Sequence, residues 1–116
     1  MGQLTTHVLD TANGCTGSGI KVELFRAGDS NEMLASCFTN NDGRCDQPLL
    51  GGEDFVTGKY RLVFHMGAYF AALGTKLDDP PFLDKIVISF GIASENQNYH
   101  VPLLVSPWAY STYRGS

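Results

Sequence analysis

Several things are scarce in this chain, and each scarcity removes a class of function. Positive charge is one: eight Lys and Arg face twelve Asp and Glu, for a formal net charge of −4, with no basic run. A nucleic-acid partner needs a positive footprint to displace phosphate counterions, so no nucleic acid is expected. Long apolar runs are missing too. None approaches the roughly 20 residues of a membrane-spanning helix, so no membrane partner is expected. The residues Leu4-Thr5-Thr6-His7 follow the start directly, with neither the charged nor the apolar region of an export signal. A cytoplasmic location is expected, with periplasm or peroxisome left for a chain that has lost a targeting segment. The three cysteines, Cys15, Cys37 and Cys45, cannot pair completely and form no C-x-x-C. They read as small thiols in a reducing compartment. There is no G-x-S-x-G elbow, no H-E-x-x-H and no H-x-H, so neither a serine nucleophile nor a metal site is expected. Gly14, Gly17 and Gly19 follow a strand, but no helical pattern follows them, which argues against a phosphate loop.

What is present is strand pattern. The 116 residues are 43% hydrophobic and 17% charged, enough for one domain (residues 1–116) with a real core. Gln3 to Leu9 alternates, with Leu4, Thr6 and Val8 on one side and Gln3, Thr5, His7 and Leu9 on the other. Ile20 to Arg26, Glu32 to Thr39, Gly58 to Met66 and Leu83 to Ala93 read as further strands. Leu49-Leu50 reads as a short one. Ala68 to Leu73 is Ala-rich without alternation and predicts a short helix ended by Gly74. Asn40-Asn41-Asp42-Gly43 is a strong turn signal that holds Arg44 at its rim. Asn98 to Val105, a Ser106-Pro107 turn and a returning strand from Trp108 to Arg114 close the chain. Seven or eight short strands with turns between them predict an all-β antiparallel sandwich.

Three histidines are the only imidazoles. His65 reads as an ordinary surface residue on the outer face of its strand. His7 and His100 both fall on the non-core side of their strands, flanked by small polar residues. An imidazole titrates near neutrality and can take and return a proton at physiological pH. Ser111 and Tyr113 share a face of the closing strand, and with Arg44 on its turn and Tyr113 near the chain end the two histidines form a plausible hydrolytic set of base, second acid/base group, cation and phenol.

The closing segment resembles a known signature. It runs Tyr99-His100-Val101-Pro102-Leu103-Leu104, then Ser106-Pro107, then Tyr110-Ser111-Thr112-Tyr113-Arg114-Gly115-Ser116. Two further blocks are similar to the same family: Leu4 to Gly14, containing T-H-V-L-D, and Thr39 to Arg44, continuing to Pro48-Leu49-Leu50. Together they resemble the 5-hydroxyisourate hydrolases, the transthyretin-related protein family. The likeness covers Leu4 to Ser116.

The resemblance implies a transthyretin-like sandwich of two four-stranded sheets with one short helix. It implies a homotetramer, a dimer of dimers, with sites along the dimer–dimer interface. It also implies cofactor-free hydrolysis of 5-hydroxyisourate to 2-oxo-4-hydroxy-4-carboxy-5-ureidoimidazoline in urate breakdown. The family's functional residues fall on His7, Arg44, His100 and Tyr113. On that reading His7, with His100 nearby, activates water, and Arg44 stabilises the substrate's oxyanion and favours the neutral form of His7. Ser111 and Tyr113 hydrogen-bond the substrate. The carboxylate of Ser116 orients one of these groups, which places the chain's end in the site region. Two positions depart from the family pattern: Asn98 stands where a histidine is usual, and Trp108-Ala109 where an aromatic-glycine pair is common. The alternative is a transthyretin-like small-ligand binding protein without catalysis.

Overall fold

A computed structural model describes residues 2–28 and 31–115. Its strands are β1 (Gln3–Asp10), β2 (Cys15–Thr16), β3 (Lys21–Arg26), β4 (Met33–Phe38), β5 (Leu50–Gly51), β6 (Gly58–His65), β7 (Lys85–Ile92), β8 (Tyr99–Val105) and β9 (Tyr110–Thr112), with a helix α1 (Met66–Ala72) between β6 and β7. They form two sheets, one ordered β2-β1-β8-β9 with β5 also on β1, the other β4-β3-β6-β7. The sandwich is the expected all-β architecture. One sheet has four strands, and the two-residue strand β5 brings the other to five.

Alternation sets the faces. In β1, Leu4, Thr6, Val8 and Asp10 are buried, while Thr5, His7 and Leu9 are half-buried. In β8, Tyr99, Val101, Leu103 and Val105 go to the core and His100 does not. Between the sheets lie Leu4, Val8, Val22, Leu24, Tyr60, Leu62, Phe64, Ile86 and Leu103. Each large aliphatic or Phe side chain buried there contributes about 1.5–3 kcal/mol against remaining in water.

The antiparallel expectation fails at one ladder. β1 and β8 run parallel, pairing Leu4 with Tyr99 through Asp10 with Val105. A parallel neighbour needs a long crossover, and here all of β2 to β7 intervenes. The closing strand is also shorter than Trp108 to Arg114: only Tyr110–Thr112 is regular. Pro102 has no N–H for the ladder, and pairing resumes at a His100–Gly115 bridge.

The helix begins two residues earlier than the composition suggests, because the Met66 and Gly67 N–H groups donate to the Asp84 carbonyl. Tyr69 in α1 reaches back to β1, its hydroxyl donating to Asp10 Oδ2 at 2.7 Å. Burial pushes the Asp10 pKa up, but hydrogen bonds from Asn13, Tyr69 and Ala12 outweigh it and hold the carboxyl below its ordinary value. Burial and the Asp10 carboxylate push the Tyr69 phenol well up. Among the described residues no helix is long and apolar enough to cross a membrane.

The reading of the cysteines as free thiols needs correction. Cys37 at the end of β4 and Cys45 beyond the Asn40–Gly43 turn form a disulfide, with Cα atoms 6.0 Å apart, while Cys15 is free and exposed. The turn folds the two positions back on each other, a proximity no cysteine spacing rule reveals. This pairing removes the support that free thiols lent to a reducing compartment.

Candidate active site

The open edge of β1 organises the site. It is covered in succession by β2 at Leu9 and Asp10, by the Gly43-Arg44 backbone at Val8 and His7, and by β5 at Leu4 and Gln3. The middle cover is the turn the sequence announces. Asn40 N–H donates to the Arg44 carbonyl at 2.8 Å, and Gly43 N–H to the Asn40 carbonyl at 2.9 Å. The Asn40 side chain accepts from the N–H groups of Asp42 and Arg44. Gly43 sits at φ +76° and its carbonyl accepts from Val8 N–H, while a Cβ there would lie 2.4 Å from the Val8 carbonyl oxygen. Only glycine satisfies both the left-handed backbone and this approach. The result is an antiparallel bridge between Arg44 and His7. Among the described residues the Arg44 guanidinium has no carboxylate partner.

His100 arrives from the other side of β1. The parallel register puts it opposite Thr5 and puts Pro102 opposite His7. The two imidazoles face outward with centroids 6.5 Å apart and planes inclined by 34°. No direct hydrogen bond joins the two rings among the described residues. Thr5 Oγ1 lies 2.8 Å from His100 Nδ1. Gly115 backs the ring: its N–H donates to the His100 carbonyl at 2.7 Å, and a Cβ at 115 would come within 2.7 Å of His100 Cδ2. Burial lowers the His100 pKa first, Arg44 and His7 lower it further, and Thr5 pulls weakly upward. The Arg44 charge thus acts on the His100 imidazole, which is neutral at physiological pH.

His7, Arg44 and His100 are therefore brought together. The other expected residues stand differently. The β8–β9 register, carried on to the His100–Gly115 bridge, sets Tyr113 level with Pro102 and hence with His7, two strands away. Tyr113 is exposed and lines a separate hollow of about 230 Å³ with Ile88, Phe90 and Arg114. Ser111 pairs with Leu104 and is exposed. Ser116 lies outside the described residues. Asn98 has its own task, its Oδ1 accepting from Gln3 N–H at 3.1 Å, which ties β8 to the start of β1. At Trp108-Ala109, Ser106 Oγ accepts both N–H groups and holds the turn. Thr5, Gly115 and Cys45 were not singled out by sequence. For Thr5 the available signal was its alternation onto the His7 face.

Size alone would place the site elsewhere. A larger hollow, about 410 Å³, is lined by Lys21, Phe38, His65, Tyr69 and Leu73 among others. The concavity at Arg44, with Thr5, Thr6, Cys45 and Gln47, holds only about 100 Å³. Chemistry favours the smaller one, because a free cation and two outward imidazoles converge beside it. In the larger one His65 is tied to Glu23 Oε1 at 2.5 Å. Among the described residues no cluster of three or more His, Cys, Asp or Glu could hold a metal ion.

Comparison with known proteins adds to this geometry. Residues 4–115 match the model of the HIUase/Transthyretin family. The chain is 61% identical to a 5-hydroxyisourate hydrolase of Pseudomonas aeruginosa, over 100% of this chain and 93% of that protein. Among solved structures it is similar to a Klebsiella pneumoniae 5-hydroxyisourate hydrolase, with a TM-score of 0.84, 34% identity and full coverage of both chains. It is also similar to an (S)-allantoin synthase, with a TM-score of 0.94 and 47% identity over 99% of this chain. The chain spans 44% of the length of that synthase.

Proposed function

The chain belongs to the HIUase/Transthyretin family, and from that membership and the site geometry we propose that it is a hydrolase opening the ring of 5-hydroxyisourate in urate catabolism. The observation that carries the proposal is the pair of outward imidazoles at 6.5 Å beside an arginine with no carboxylate partner among the described residues. The product is 2-oxo-4-hydroxy-4-carboxy-5-ureidoimidazoline, and the chemistry needs no cofactor.

The roles follow from the electrostatics. His100, kept neutral by burial and by Arg44, takes a proton from a water molecule held between it and His7. The water oxygen bonds to the ring carbonyl carbon, and the carbonyl electron pair moves onto its oxygen. Arg44 stabilises that oxyanion as a fixed cation. Collapse re-forms the carbonyl as a carboxyl group and breaks the carbon–nitrogen bond. His100 then returns its proton to the departing ring nitrogen. Ser111, Tyr113 and the Ser116 carboxylate are assigned to holding the flat polar substrate.

A homotetramer, as a dimer of dimers, belongs to the same reading. A concavity of about 100 Å³ is small against the usual ligand pocket of about 300–1,000 Å³. Trp108, Tyr110 and Tyr113 are all exposed around the closing hairpin. A neighbouring copy seated there would cover these rings and deepen the cleft. Sedimentation analysis tests this, and a monomer at working concentration would remove it.

The test of activity is to generate 5-hydroxyisourate in situ with urate oxidase and follow its ultraviolet decay. Acceleration over spontaneous hydrolysis is expected. An unchanged decay would sink the hydrolase and leave the non-catalytic ligand-binding alternative.

A further inference from the structure

His100 is useful as a base only if one particular nitrogen faces the reacting water. An imidazole has two, and which one carries the proton is set by the hydrogen bond made by the other. In this chain Thr5 makes that bond. Its side chain has nowhere else to go: Leu4 and Thr6 are buried on the opposite face, so alternation turns Thr5 outward on the face that carries His7. The parallel register then sets it directly across from His100. Oγ1 stands 2.8 Å from Nδ1 and has no other hydrogen-bond partner among the described residues. A β-branched side chain is stiff at χ1, so the hydroxyl is held where it is needed. On the ring's other edge Gly115 lies against Cδ2. The imidazole is thus gripped along both edges near its attachment to the strand, and Nε2 is the nitrogen left free.

We propose that Thr5 is the positioning residue of His100, its hydroxyl accepting from Nδ1–H so that Nε2 carries the free electron pair that takes the proton. The inference rests on the hydrolase reading for its catalytic meaning, but the hold itself is a property of the resting protein. The charged and titratable groups acting on the ring are Arg44 and His7.

Two substitutions and two measurements test it. Thr5→Val keeps the shape and removes the hydroxyl, whereas Thr5→Ser keeps the hydroxyl and removes the methyl group. Thr5→Val is expected to lower kcat for 5-hydroxyisourate about tenfold to a hundredfold, with a much smaller change in KM, because the base is misplaced and the substrate contacts are not. Thr5→Ser is expected to retain most of the wild-type kcat. Separately, nitrogen-15 spectra of the His100 ring in the substrate-free protein should show Nδ1–H as the dominant neutral tautomer in wild type and Thr5→Ser. A mixture is expected in Thr5→Val. Wild-type spectra showing Nε2–H would overturn the proposal. So would an active Thr5→Val beside an inactive Thr5→Ser, since packing and not the hydroxyl would then matter. If the wild-type protein shows the expected tautomer but does not hydrolyse 5-hydroxyisourate, the hydrolase reading fails while the hold of Thr5 on His100 stands.

Discussion

Two outward-facing strand histidines, one on each sheet, show how surroundings assign a role. His65 ends β6 and His100 lies near the start of β8, and both are half-buried. His65 meets a carboxylate, Glu23 Oε1, with Lys21 Nζ 4.0 Å from the other oxygen of that group. That hydrogen bond joins β3 to β6. His100 meets a neutral hydroxyl, with a cation and a second imidazole acting on it. Among the described residues no carboxylate pairs with it, so the ring stays neutral with a nitrogen to spare. The same side chain is a structural tie on one sheet and, in the proposed mechanism, a proton acceptor on the other. Hollow volume points to the first and charge to the second.

The comparison breaks most readily by mutation. His100→Ala, His7→Ala and Arg44→Ala are each expected to lower kcat/KM by about 10²–10⁴, the range of a lost acid/base group or oxyanion donor. His65→Ala should leave it within a few-fold of wild type. Steady-state rates on freshly generated substrate decide, with sedimentation to check that assembly is unchanged. Equal losses at His65 and His100 would erase the distinction.

A smaller effect is expected from the clamp behind Arg44. The Cys37–Cys45 disulfide closes the loop that carries the arginine. Cys45→Ser should cost about 2 kcal/mol of stability by denaturant unfolding. KM should rise more than kcat falls, because the cation loses its fixed place before the imidazoles do. An unchanged KM would mean that the His7–Arg44 bridge suffices to hold the loop.

Acidity sharpens the contrast further. The His100 pKa is lowered, by burial first and then by Arg44, so the unprotonated base persists below the ordinary histidine range. The acid limb of the kcat/KM profile should therefore lie below pH 6.5. Arg44→Gln should move what activity remains toward higher pH, because removing the cation raises the imidazole pKa. A limb that stays in place would mean that another group is the base.

The smallest effect belongs to the other sheet. The hydrogen bond from His65, opposed by partial burial, leaves the Glu23 pKa lowered. A carboxyl with a depressed folded-state pKa contributes stability that is present above its unfolded value and lost as pH falls through the folded one. Glu23→Gln should thus cost less than about 1 kcal/mol at neutral pH, as expected for a largely solvent-screened pair. It should cost nothing well below pH 4.5, and leave activity unchanged. Chemical denaturation at both pH values checks this.

Much of the fold was legible because its cause is local. Period-two alternation placed Leu4, Val8, Tyr99, Val101 and Leu103 inward and His7 and His100 outward, and each strand announces this independently of its neighbours. The Asp42-Gly43 turn was equally plain, since the left-handed backbone at Gly43 suits a residue without Cβ. Residue chemistry suggested His7, Arg44 and His100 as one set, and motif resemblance gave that set a family. The odd cysteine count pointed to free thiols, and neither count nor spacing measures how far a turn folds back to join Cys37 and Cys45.

The sequence by itself determined which face of each strand each side chain takes, and so which imidazoles could ever meet solvent. Only the tertiary structure decided that β1 and β8 lie side by side in parallel, with Thr5 against His100 and the Gly43-Arg44 backbone against Val8 and His7. The reason is physical: side-chain direction follows from the pleat of a single strand, whereas register between strands some 95 residues apart follows from packing the whole core.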